Sequence, residues 1–97
     1  MRPMENPPQT RPLKERYAAR ADADGYLPVM EFATSALGRQ TKNIAALLDG
    51  EEGTNPKHHL GTGLRYAGSS GSYYDMRIHI DDVDEFARRV KIHYKEA

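Results

Sequence analysis

Val29-Met30-Glu31-Phe32-Ala33-Thr34-Ser35-Ala36-Leu37-Gly38 runs directly into Arg39-Gln40-Thr41-Lys42-Asn43-Ile44-Ala45-Ala46-Leu47-Leu48, and how this stretch divides decides the fold. Val29, Phe32, Ala33, Ala36 and Leu37 recur at helical spacing and predict one buried face. Pro28 suits a first helical turn, where a missing N–H costs nothing. Gly38 sits where that helix should stop, because glycine adopts positive φ without a steric penalty. Thr41 is the expected N-cap of a second helix, with Ile44, Leu47 and Leu48 as its buried stripe. The alternative is one continuous helix from Val29 to Leu48 with Gly38 in its middle, which costs about 1 kcal/mol relative to alanine. The broken form is the reading adopted.

Working outward, Asp49 to Pro56 is a loop by composition. Tyr74, Met76, Ile78 and Ile80 alternate with Asp75, Arg77 and His79, which predicts a strand. Leu64 and Tyr66 supply its hairpin partner across Gly68-Ser69-Ser70-Gly71-Ser72. In this reading Tyr74 and Tyr66 belong to the core and Tyr73 is free for a ligand. Asp81 or Asp82 is expected to cap a last helix, whose inward face is Val83, Phe86, Ala87 and Val90. Asp84 and Glu85 at its start, and Arg88, Arg89, Lys91 and Lys95 towards its end, suit the helix dipole. The expected core joins Val29, Phe32, Leu37, Ile44, Leu47, Met76, Ile78, Ile80, Val83, Phe86 and Val90.

Upstream, residues 1–12 hold four prolines and little apolar material, and are expected to form a disordered arm. Residues 13–25 read as a marginal helix or linker, with Leu13, Tyr17 and Ala21 at helical spacing and Asp24-Gly25 ending it. The domain proper is expected over 26–97. Helix, tight turn, helix, β-hairpin, helix is an α+β layout, that of a small winged helix-turn-helix.

The chain has 97 residues and no cysteine, so packing alone must stabilise it, without disulfides or thiolate metal sites. Nothing approaches the roughly 18 apolar residues of a membrane helix, and the first residues do not form a secretory leader. A cytoplasmic location is expected. No nucleophile motif orders the Ser, His and Asp residues, so no catalytic site and no cofactor are expected. His58-His59 point apart without a third ligand at suitable spacing, and His79 and His93 are too dispersed to make a metal site. The acids at 81–85 do not follow the spacing of a calcium loop, and Gly61-Thr62-Gly63 lacks the flanks of a phosphate cradle.

Lys plus Arg equals Asp plus Glu at 14 each, which weighs against duplex DNA as partner. The distribution weighs for it. From Lys57 to Arg77 there are three basic residues and one acidic residue. Arg39, Gln40, Thr41, Lys42 and Asn43 open the second helix, and Arg, Gln and Asn are the side chains that pair with base edges. Arg65, Ser69, Ser70, Tyr73 and Arg77 surround the hairpin tip and suit phosphate contacts.

Tyr26-Leu27, Glu31…Ala33…Leu37-Gly38, Ile44…Leu47-Leu48, Arg65-Tyr66…Tyr74…Arg77-Ile78 and Asp81-Asp82-Val83-Asp84-Glu85-Phe86 occur in an order that resembles the winged helix-turn-helix proteins of the phage excisionase and MerR-like group. The DNA-binding part of phage terminase small subunits is also similar. The resemblance covers about residues 26–90. It implies a phage or mobile-element protein that binds double-stranded DNA, as an excisionase-like architectural factor or a small transcriptional regulator. It further implies cooperative self-association on DNA and an integrase or other DNA-bound protein as partner. On it, Arg39, Gln40, Lys42 and Asn43 become groove contacts and Arg65, Ser69, Ser70 and Arg77 become wing contacts. The rival reading is a protein-interaction module of the same fold, such as an antitoxin, an inhibitor or a phage assembly factor.

Overall fold

The computed structural model describes residues 11–50 and 59–96, with Ser70 and Glu96 described by backbone alone. The expected arm up to residue 10, most of the Asp49–Pro56 loop and His58 lie outside the described residues. In chain order the elements are α1 (Leu13–Tyr17), β1 (Tyr26–Pro28), α2 (Val29–Phe32), α3 (Thr41–Asp49), β2 (Tyr66–Ala67), β3 (Arg77–His79) and α4 (Val83–Glu96). A 3-10 turn, Ala18–Arg20, extends α1, and a 3-10 stretch kinked at Ser72, Ser70–Asp75, connects β2 to β3. The described residues thus form a small α+β domain with four α-helices and a three-stranded antiparallel sheet in the order β1-β3-β2.

The broken helix is the observed form. Hydrogen-bonded turns carry α2 on to Leu37, and the last are wide: Leu37 N–H donates to Phe32 O and Arg39 N–H to Ala33 O. Gly38 then takes φ +66°, the left-handed conformation that lets the chain reverse into α3. The N-cap of α3 is Gln40, not Thr41 as expected. Its side chain makes no capping bond, and its carbonyl accepts from Asn43 and Ile44 N–H. Pro28 closes the edge strand β1, where a missing N–H breaks no ladder, and leads straight into α2.

The sheet is short. β3 pairs Ile78 with Leu27 on one side and with Tyr66 on the other. Leu27 and Ile78 point into the core while their strand neighbours stay half-exposed, the alternation a one-sided sheet requires. Against that face lie Val29 and Phe32 of α2, Ile44 and Leu48 of α3, and Val83 and Phe86 of α4, all fully buried. Phe32 is the hinge of the packing. Its ring meets Phe86 and Tyr17 edge-on, each at 6.4 Å between centroids.

The α1 helix is too short to be stable alone and is held by its surroundings. Leu13 and Tyr17 are buried in the common core. The Asp84 carboxylate accepts the first two N–H groups of α1, from Leu13 at 2.6 Å and Lys14 at 3.0 Å. Two orphan donors of one helix are thereby satisfied from the first turn of another.

The β2–β3 connection departs from the expected long hairpin. Regular strand starts only at Arg77, and Tyr74 is 63 % exposed instead of belonging to the core. The physical reason is the change of period. The chain kinks at Ser72 (φ −124°, ψ 64°), and in the 3-10 turn after it, at about three residues per turn, Tyr73 falls on the same side as buried Met76 and Tyr74 turns outward. Tyr73, expected to be free, is half-buried and packs on the core. The 3-10 turn lies against α3 and α2.

Candidate nucleic-acid interface

The α2–α3 turn and the first turn of α3 present Arg39, Gln40, Lys42 and Asn43 to solvent, with Thr41 half-buried among them. They are exposed because Ile44, Ala45, Leu47 and Leu48 take the inward face of this nine-residue helix. Gln40, Lys42 and Asn43 form no side-chain hydrogen bond or ion pair among the described residues, so their polar ends are available. Arg39 differs: its guanidinium lies over the Tyr94 ring of α4, 3.8 Å from the centroid.

The hairpin candidates divide. Ser69 is exposed at the start of the 3-10 turn, and the Ser70 side chain is outside the described structure. Tyr73 stacks against Tyr74 with 4.4 Å between centroids. Both hairpin arginines are engaged inside the domain. Arg65 donates from Nε to Asp82 Oδ2 at 2.8 Å and from its backbone N–H to the same oxygen at 2.9 Å. Arg77 reaches Asp22 Oδ2 and the Asp75 carbonyl, both at 3.3 Å. The local basic excess read from the sequence between 57 and 77 is therefore largely cancelled by acids from elsewhere in the chain.

The acids of the 81–85 cluster hold elements together. Lys14 approaches Asp81 at 2.6 Å. Hydrogen bonding from Arg65 holds the Asp82 carboxyl below the usual carboxylate range, and Lys14 does the same for Asp81. Glu85 accepts from both Arg88 and Arg89, which lowers its pKa from 4.5 to about 2. Arg89 also donates to the Leu60 and Thr62 carbonyls at 2.9 and 2.7 Å, which fastens the segment before β2 to α4.

A carboxylate with a depressed folded pKa stabilises the fold above its ordinary pKa, and this contribution fades as pH falls through the folded value. For Glu85 that window runs from 4.5 down to about 2, and Asp81, Asp82 and Asp22 shift in the same direction. The urea midpoint should fall across this window. In Glu85→Gln the fall should be shallower, and a profile identical to the parent's would remove Glu85 from the account.

The sequence assigns Lys91 and Lys95 only to the dipole of the last helix and gives Tyr94 no role. They line one cleft with Arg39, Ala36, Leu37 and Val90. A signal was available: Arg88 and Arg89 each have Glu85 three or four residues behind them, whereas Lys91 and Lys95 have no acid at those positions.

No group of three potential metal ligands occurs among the described residues, and no helix there is long and apolar enough to cross a membrane. Comparison of the chain with family models, curated proteins and solved structures gives no significant match.

Proposed function

We propose that the protein is a winged helix-turn-helix module that binds double-stranded DNA sequence-specifically, with α3 in the major groove and the Ser70–Asp75 turn against the neighbouring backbone. One observation carries the reading. The elements run α1-β1-α2-α3-β2-β3 around an antiparallel sheet of order β1-β3-β2, and this arrangement holds out the start of α3 with Gln40, Lys42 and Asn43 exposed and, among the described residues, unpartnered. Side chains of these types at the start of a second helix suit base edges and phosphates. The resemblance noted above extends the proposal to an excisionase-like architectural factor or small regulator of a phage or mobile element. It would work in the cytoplasm, without catalysis, self-associating on DNA beside an integrase or another DNA-bound protein.

The protein-interaction reading keeps one observation in its favour: Arg65 and Arg77 are ion-paired within the domain. A titration against a pool of genomic fragments separates the two. DNA binding requires a retained fragment at low salt, released as salt rises; retention of none would transfer the fold to the interaction class. On a selected site, Gln40→Ala and Asn43→Ala should each remove about 1–3 kcal/mol of discrimination at one or two base pairs, while binding to scrambled DNA stays constant. An unchanged specificity ratio would show that α3 does not read the bases.

A further inference from the structure

We propose that the end of α4 forms a second phosphate-binding surface, built from Arg39, Lys91 and Lys95, which grips the duplex backbone beside the bases that α3 faces. The inference rests on the DNA-binding reading above.

The first support is the pattern of ion pairing. Arg65, Arg77, Arg88 and Arg89 each reach a carboxylate, as do Lys14 and Arg20. Arg39, Lys42, Lys91 and Lys95 have no carboxylate partner among the described residues. Among the described residues, pairing elsewhere thus leaves cations without a carboxylate partner on the α2–α3 turn, the start of α3 and the last turns of α4.

The second support is that three of these cations share one site. Arg39, Lys91 and Lys95 line a cleft of about 350 Å³ floored by Ala36, Leu37, Val90 and Tyr94, and among the described residues no acidic one lines it. Lys91 and Lys95 lie one helical turn apart, a spacing at which like charges repel. Apart from the dipole of α4, no group of the described residues lining the cleft offsets that repulsion, and a bound anion would.

The third support is orientation. Arg39 is exposed, its guanidinium lies over the Tyr94 ring and has no hydrogen-bond or ion-pair partner among the described residues, and a guanidinium is the fork that matches a phosphate bidentately. The turn carrying Arg39 leads directly into α3, so the cleft adjoins the surface of Lys42 and Asn43. Phosphates flank any groove a helix enters, and contacts to them fix register without reading sequence.

The test compares the parent with Lys91→Ala/Lys95→Ala on a selected site and on scrambled DNA over a range of salt. Alanine favours helix, so circular dichroism should confirm that α4 is intact. Each lost phosphate contact removes about 0.9 from the log–log salt slope, so the double variant should be shallower by about two units on both DNAs, with its specificity ratio unchanged. Lys91→Arg/Lys95→Arg should restore the parent slope. A double alanine variant with the parent's slope would overturn the second surface and leave the DNA reading standing. A loss confined to the selected site would overturn it too, since that would be base contact. A parent that retains no DNA at low salt overturns both, and points the cleft towards an acidic protein partner.

Discussion

Phe86→Ala should destabilise the domain by about 3–5 kcal/mol, and Ile78→Ala by about 2–5 kcal/mol. Both side chains are fully buried. Phe86 meets Phe32 edge-on, and Phe32 meets Tyr17, so one ring removed from α4 opens a cavity bordered by α2 and unsettles the contact of α2 with α1. Ile78 occupies the central strand and pairs with residues of both edge strands. A domain of this size has only about 5–15 kcal/mol in total, so either variant should lose a large part of its stability. Urea melts at fixed pH measure the loss. Parent-like midpoints in both would mean that the sheet and α4 do not share a core with α2.

Gly61→Ala should cost about 3 kcal/mol, at the upper end for an overpacked core. An alanine Cβ there would run into the Leu48 carbonyl oxygen and stand 2.9 Å from both Leu48 Cδ1 and the Tyr66 ring. The first neighbour is backbone in the last turn of α3 and cannot rotate aside. Nor can the segment around Gly61 easily withdraw. Leu60 N–H donates to Leu47 O at 2.8 Å, and Arg89 bonds the carbonyls on either side of Gly61. Gly63→Ala is the control. Its φ is +81° with nothing within 4 Å of the new Cβ, so only the conformational penalty of about 1–2 kcal/mol applies. If the two variants melted alike, the steric account of Gly61 would be wrong.

Position 61 also shows where sequence reading stops. Gly61-Thr62-Gly63 suggested at most a poor phosphate cradle, and nothing local reveals that a distant carbonyl occupies the space beside Gly61. The pair Tyr73 and Tyr74 fails differently. Alternation from Tyr74 to Ile80 is compatible with a strand throughout, but the 3-10 turn changes the period and exchanges the two rings between core and solvent.

What the sequence by itself determined is local. The apolar spacing on either side of Gly38 was enough to divide α2 from α3, and the same kind of spacing identified the inward face of α4, because helical period and positive φ depend on neighbouring residues. The availability of each charge was decided only by the tertiary structure. Arg77 meets Asp22, which lies 55 positions away, and Asp84 caps a helix whose start lies 71 positions away. A carboxylate neutralises a guanidinium by closeness in space, which local sequence does not encode. Folding therefore cancels the Arg65 and Arg77 charges that stood out in the chain, and leaves Arg39, Lys91 and Lys95, which did not stand out as a group, without a carboxylate partner among the described residues.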